Sequence, residues 1–146
     1  NFHPGPPEYP GIGCFNFAIY DSAKKFGATA HLMDPKVDTG KIISVKRFSI
    51  SDNETVETLS KETYKSLLSL FKNVIDCIVD NNSLPKSDET WIKAPYTRKK
   101  LEDLATIKID MSRREIEKII RSTYYHGKPP PFIDIFGYKF EFNPDR

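Results

Sequence analysis

Residues 27–43 read GATAHLMDPKVDTGKII, and the second half of that run continues as KIISVKRFSI to residue 50. Two β-rich runs flank a loop that Asp34–Pro35 opens and Gly40 closes. The spacing predicts a strand over 28–33, with Ala28, Ala30 and Leu32 on one face and Thr29, His31 and Met33 on the other, and a second strand over 41–50. Upstream, residues 4–13 carry Pro4, Pro6, Pro7 and Pro10. That density of prolines excludes helix and central strand and predicts a stiff loop. Over residues 14–25, Phe15, Ala18 and Ile19 share one helical face, Lys24 and Lys25 suit the negative end of the dipole, and Gly27 stands where a C-cap belongs.

Downstream, Ser51–Asp52–Asn53–Glu54 has the form of a capping box. The helix it announces is the strongest periodic signal in the chain. Val56, Leu59, Thr63, Leu67, Leu70 or Phe71, Val74 and Ile78 recur every three or four residues as far as Asp80, with Tyr64 and Phe71 assigned to the core face. Asn81, Asn82 and Pro85 end it. A polar stretch follows over 83–111. Ser112–Arg113–Arg114–Glu115 then repeats the capping-box pattern ahead of Ile116, Ile119 and Ile120. Pro129–Pro131 stop all helix, and FIDIFGYKFEF (132–142) alternates around Gly137 as a hairpin. The expected class is α/β, with residues 1–82 as the main body and 83–146 as a small α+β region.

The 146 residues bound the answer to one ordinary domain, with 38% apolar and 29% charged residues, enough for a real core. Lys and Arg number 22 against 20 acids, a net charge of +2. So even a balance offers little general attraction to nucleic acid or to an anionic membrane and leaves only a local patch open. No run approaches the roughly eighteen apolar residues of a membrane span. Cys14 and Cys77 have no metal-ligand spacing and read as thiols. The chain opens on Asn1 without a Met and without a strand leading into it, and so reads as the later part of a longer protein.

In α/β sheets, sites lie on loops beyond strand ends. Here those loops are 4–13 and 34–40. Asn1 and His3 are two apart, so in an extended segment they point to the same side, and Asp38 sits on the other loop. An amide and an imidazole can donate to a developing oxyanion, and a carboxylate can orient the imidazole and favour its charged form. Spacing alone leaves open the simpler reading of Asp38 as a turn residue.

The segments NFHPGPPEYPGIG, FNFAIY and GATAHLMDPKVDTGKII together resemble the catalytic core of the folate-dependent formyltransferases. That superfamily carries an N-x-H at a strand end, a G-x-T-x-H strand, and an acid in a DTG or DAG loop before Ile-Ile. These fall on Asn1 and His3; on Gly27, Thr29 and His31; and on Asp38, Thr39 and Gly40 ahead of Ile42 and Ile43. The resemblance implies the second half of a Rossmann-like core and formyl transfer from N10-formyltetrahydrofolate to an amine. Asn1, His3 and Asp38 would be catalytic, and Val37, Thr39 and Gly40 would lie along the folate. It also implies that much of the folate pocket precedes the N-x-H motif.

The loop His-Pro-Gly-Pro-Pro-Glu-Tyr-Pro-Gly is similar to that of the sugar N-formyltransferases, where methionyl-tRNA and glycinamide-ribonucleotide formyltransferases more typically have a Ser-Leu-Leu-Pro type of loop. The implied acceptor is a nucleotide-linked amino sugar, as in lipopolysaccharide O-antigen biosynthesis, with Glu8, Tyr9, His31 and Arg98 as contacts. A cytoplasmic location, no metal, no nucleic-acid partner and a homodimer accompany that reading. The alternatives are the tRNA and purine-precursor acceptors, or a binding module that keeps only the scaffold. Trp91 reads as packing under a loop or stacking on a ligand, and Arg98, Lys99 and Lys100 as a solvated charge run or a diphosphate contact.

Overall fold

The computed structural model describes residues 1–145. Its elements, in chain order, are β1 (Phe2–His3), α1 (Cys14–Tyr20), β2 (Lys25–His31), β3 (Ile42–Ser49), α2 (Val56–Asn81), α3 (Arg98–Ala105), β4 (Thr106–Ile107), α4 (Arg113–Thr123), β5 (Phe132–Ile135) and β6 (Tyr138–Glu141). The fold is mixed α/β, as the alternation of elements predicts. β1, β2 and β3 lie side by side in that order, both pairs antiparallel. In the second sheet β4 pairs in parallel with β5, and β5 turns back antiparallel to β6 through the expected hairpin.

β2 is the spine of the first sheet. From Phe26 to His31 every residue is buried, so the predicted division into an inner and an outer face does not hold: the strand is covered on both sides. The strand also starts earlier than expected, at Lys25, and α1 ends earlier, at Tyr20. Gly27 is therefore not a helix cap. It lies mid-strand opposite Arg47, where a Cβ would stand 2.1 Å from the Lys46 carbonyl oxygen. Glycine is required there because neighbouring backbone fills the space a side chain would need.

α2 presses its apolar stripe on this sheet. Val56, Leu59, Thr63, Leu70 and Val74 are buried at spacings of three, four and seven residues, all on one helical face, each large apolar side chain contributing roughly 2 kcal/mol by leaving water. Thr63 is tolerated inside because its hydroxyl donates to the Leu59 carbonyl, 2.7 Å away. Tyr64 and Phe71 are not core residues: they are 56% and 44% exposed, one position off the stripe. Phe71 still meets Phe2 edge to face at 5.3 Å. Among the described residues no helix is long and apolar enough to cross a membrane. Both cysteines are free thiols, Cys14 buried and Cys77 partly so.

The region after α2 folds back on the first part. Tyr96 stacks on Phe17 of α1 at 3.7 Å, and the Asn16 amide donates to the Ser122 carbonyl of α4. Leu101, Leu104 and Tyr125 join the core cluster built around Phe17, Phe26 and Leu59. Gly11, with φ +85°, lets the 4–13 loop lie directly against Tyr96, whose carbonyl oxygen would be 2.4 Å from any Cβ there.

The α2 cap also differs from the sequence reading. Thr55, not Ser51, is the N-cap. Its side chain accepts from the Thr58 amide while the Thr58 hydroxyl accepts from the Thr55 amide. Ser51 and Glu54 meet through a 3.4 Å side-chain contact and a long 3.5 Å backbone bond from the Glu54 amide to the Ser51 carbonyl, and neither residue caps the helix. A threonine at the third helical position can close a capping box as glutamate does, and here it shifts the start by four residues relative to Ser51. The Ser112–Glu115 box opens α4 as expected. In urea unfolding, Thr55→Ala should cost about 1 kcal/mol, the usual value of a cap. Ser51→Ala should stay within roughly 0.5 kcal/mol. The reverse order would place the cap at Ser51.

Candidate active site

The register of β1 on β2 assembles the site. Phe2 pairs with Ala30 and His3 with Thr29. One step further out, the Asn1 backbone carbonyl accepts from the His31 amide at 3.0 Å, and the Asn1 backbone nitrogen donates to the His31 carbonyl at 2.9 Å. This pairing brings the Asn1 side-chain nitrogen to 3.1 Å from Nε2 of His31. Thr29, beside His3, donates its hydroxyl to the Gly5 carbonyl at 2.7 Å and so ties the start of the 4–13 loop to the sheet.

Asp38 enters from the loop between β2 and β3. Its φ of +46° is a left-handed conformation that aspartate tolerates better than most residues. The carboxylate is buried and has three partners: Nδ1 of His3 at 3.0 Å, Nε2 of His31 at 3.3 Å, and the Gly11 amide, which donates at 2.7 Å. A buried carboxylate without such partners would be strongly unfavourable. Asn1 and His3, two residues apart, and the distant Asp38 thus stand together with His31, while Asn1 keeps its side chain at the surface.

The two imidazoles differ in their surroundings. Nδ1 of His31 lies 2.7 Å from the Leu32 carbonyl, which can only accept, so Nδ1 carries the proton. In the neutral ring Nε2 then accepts from the Asn1 amide and fixes which way that amide faces. His3 lies between two acceptors, the Asp38 carboxylate at Nδ1 and the Tyr9 carbonyl, 2.9 Å from Nε2. Burial is the largest influence on His3 and pulls its pKa below 6.5; Asp38 and the Tyr9 carbonyl oppose it, and His31 adds to it. Both ring nitrogens of His3 thus face oxygen acceptors, which favours an N–H on each, while burial disfavours the charge this would bring. Burial also pushes the neighbouring Cys14 thiol up to about 12, which keeps it protonated and inert.

Residues 1–75 match the family model described as formyl transferase. The chain belongs to the formyl transferase family. Over 119 residues it is 31% identical to a methionyl-tRNA formyltransferase of Thermodesulfovibrio yellowstonii, covering 81% of this chain and 38% of that protein. Among solved structures, a 4-N formyltransferase from Francisella tularensis aligns over 97% of this chain and 60% of its own, at 25% identity and a TM-score of 0.81. WlaRD, a sugar 3N-formyl transferase crystallised with dTDP and 5-N-formyl-THF, aligns over 95% of this chain and 50% of its own, at 29% identity and a TM-score of 0.75. This formyl transferase chain therefore spans from about two fifths to three fifths of these relatives.

The remaining candidates are placed less uniformly. Tyr9 meets His3 through its backbone; its ring is buried in the core against Phe26 and does not face the site. Glu8 pairs with Arg47, which also holds Glu89. Arg98 is exposed at the start of α3 and, among the described residues, forms no ion pair with the cluster. Val37 and Thr39 are exposed on the Asp38 loop, next to exposed Leu32 and Met33, whereas Gly40 is buried.

Sequence reasoning undervalued Trp91. Its indole N–H donates to the Gly40 carbonyl at 2.8 Å, and its ring stands edge-on to His31 at 5.1 Å and to His3 at 5.7 Å. Nothing in its polar neighbourhood signals this, because the partner lies 51 residues away. A cleft of about 370 Å³ runs along Trp91, lined by Thr39–Ile42 and Ser87–Thr90, and the Asn1–His3–Asp38 cluster does not line it.

The depressed His3 pKa makes stability depend on pH. The folded state binds this proton less readily than the unfolded chain, so the contribution is complete above 6.5 and is lost as pH falls through 6.5 toward the folded value. Melting temperatures recorded from about pH 8 to about pH 5 should fall on acidification, and His3→Gln should flatten part of that slope. An unchanged slope in the variant would remove His3 as its source.

Proposed function

We propose that this chain supplies the formyl-transferring residues of an enzyme that moves a formyl group from N10-formyltetrahydrofolate to the amino group of a nucleotide-linked amino sugar. The observation that carries the reading is the convergence of Asn1, His3 and Asp38, with two hydrogen-bond donors and a buried carboxylate at one place. Formyl transfer asks for this set. The acceptor nitrogen attacks the formyl carbon, its C=O becomes a C–O⁻, and the bond from that carbon to N10 then breaks. The Asn1 amide donates to the oxyanion, and so does the Nε2–H of His3, which turns to it from the Tyr9 carbonyl that it faces at 2.9 Å. Asp38, 3.0 Å from Nδ1, stabilises the imidazolium that makes His3 the stronger donor. The ammonium proton of the attacking nitrogen leaves and N10 regains one, so the transfer is neutral overall, and His3 with Asp38 is placed to relay that proton.

Support for the folate donor comes from the exposed apolar side chains of Leu32, Met33 and Val37, which stand in the segment around Asp38 and offer apolar surface to a flat heteroaromatic ring. In WlaRD a formyl-THF is present together with dTDP. Support for the sugar acceptor comes from the Pro-rich 4–13 loop, from the likeness to the sugar 3N-formyl transferase WlaRD, and from the near-zero net charge, which gives little general attraction to tRNA phosphates. The second reading, a methionyl-tRNA acceptor, rests on the 31% identity to the Thermodesulfovibrio protein.

Formyl transfer assayed on the longest available form of the protein, with nucleotide-linked amino sugars, methionyl-tRNA and glycinamide ribonucleotide offered in parallel, separates these acceptors. Transfer to a sugar is expected; transfer to tRNA or the purine precursor alone would replace the sugar reading. His3→Ala and Asp38→Asn should each lower kcat/KM by roughly 10²-fold or more, and Asn1→Ala by a similar factor through loss of an oxyanion donor. Near-full activity in all three would mean that the chemistry lies elsewhere.

A further inference from the structure

We propose that Trp91 is a positioning residue: it clamps the Asp38 loop against the two imidazoles and holds the cluster in its reactive geometry. The proposal rests on the formyl-transfer reading of that cluster. Three observations carry it. The indole N–H reaches the carbonyl of Gly40, two residues beyond Asp38, where the chain has just passed through a left-handed turn. That bond restrains the loop at the place where the carboxylate must stay aimed inward. The same indole covers both imidazoles edge-on, at interplanar angles of 72° to His3 and 87° to His31. Finally, Trp91 is a member of neither hydrophobic core cluster, while its indole hydrogen bond and both its ring contacts are with the site.

The segment that carries Trp91 is anchored on either side without it. Glu89 is held by Arg47, which also holds Glu8. The Ile92 amide donates to Pro7, the Tyr96 amide to Pro10, and the Ile12 amide to Tyr96. The segment therefore crosses both loops that supply the site. Its bridge to Gly11 places the very amide that donates to Asp38. Removal of the indole should leave these anchors in place, free the Gly40 carbonyl, and admit water to His3. Each effect loosens the cluster, and misplacement by an ångström is costly when reacting groups must be aligned.

The test uses Trp91→Phe, which keeps a ring over the imidazoles and loses the N–H, and Trp91→Ala, which loses both. In the longest available form of the protein, Trp91→Ala should lower kcat by roughly 10–100-fold with KM values for donor and acceptor within about twofold, and Trp91→Phe should lie between it and wild type. NMR titration of the His3 ring supplies a readout that does not depend on turnover. Asp38, His31 and the Tyr9 carbonyl face His3 unchanged in both variants. In Trp91→Ala the His3 pKa should rise toward 6.5 as water enters, and in Trp91→Phe it should stay near the wild-type value. Wild-type kcat and an unmoved His3 titration in folded Trp91→Ala would overturn the proposal. Should that variant fail to fold, wild-type kcat in Trp91→Phe would overturn it. A wild-type protein that transfers no formyl group to any acceptor, with the His3 shift still present, would instead remove the formyl-transfer reading and leave the clamp standing.

Discussion

The carboxylate of Asp38 is a charge held out of water, and much of the surrounding architecture is the set of conditions under which that is tolerable. Polar groups must reach it from three directions. His3 does so only if β1 pairs with β2 in the observed register, since a one-residue slip would turn its ring to the opposite face. His31 does so from the end of β2. Gly11 does so because the Pro-rich loop is drawn across the sheet and lies against Tyr96. Relaxing any one of these contacts leaves a buried anion underpaired, which is costlier than the loss of a surface ion pair. The candidate cluster and a local folding constraint are thus the same set of atoms.

The region beyond α2 is part of this arrangement. Tyr96 stacks on α1, Trp91 reaches the Asp38 loop, and Arg47 of β3 links Glu8 and Glu89 through one guanidinium. Those ion pairs are partly exposed and contribute little stability by themselves. Their effect is geometric: they fix where a polar, irregular segment crosses two loops. The family match ends at residue 75, before this crossing, yet both similar solved formyltransferases align over nearly the whole chain. The crossing segment therefore belongs to an architecture shared with those structures, although it lies outside the matched family core.

What was legible in the sequence depended on range. The N-x-H pair and the Asp-Thr-Gly loop are short patterns with a chemical meaning, and the β-rich runs that bracket the loop are visible in residue type; their convergence in space follows from one hairpin-like pairing. His31 was recognisable as a strand residue near the site, but its tautomer depends on the Leu32 carbonyl and could not be read from spacing. Gly27 looked like a helix cap because local rules see a glycine after two lysines, whereas its environment is the backbone of β3. Ser51 met the usual capping formula and lost to Thr55, which forms a reciprocal pair with Thr58 that the formula does not include. Phe71 was assigned inward because Leu70 and Phe71 compete for one stripe position, and only the sheet decides which of them it accepts. Trp91 lay beyond all such rules, since its partners are near neither in sequence nor in pattern.

Trp91 is the one tryptophan in the chain, and it stands against both histidines of the cluster. A protonated imidazole quenches an excited indole by accepting charge from it, while a neutral one does so far less. The intrinsic emission of this chain is consequently a record of proton occupancy beside Asp38, an optical signal built into the fold at the place where the chemistry would occur.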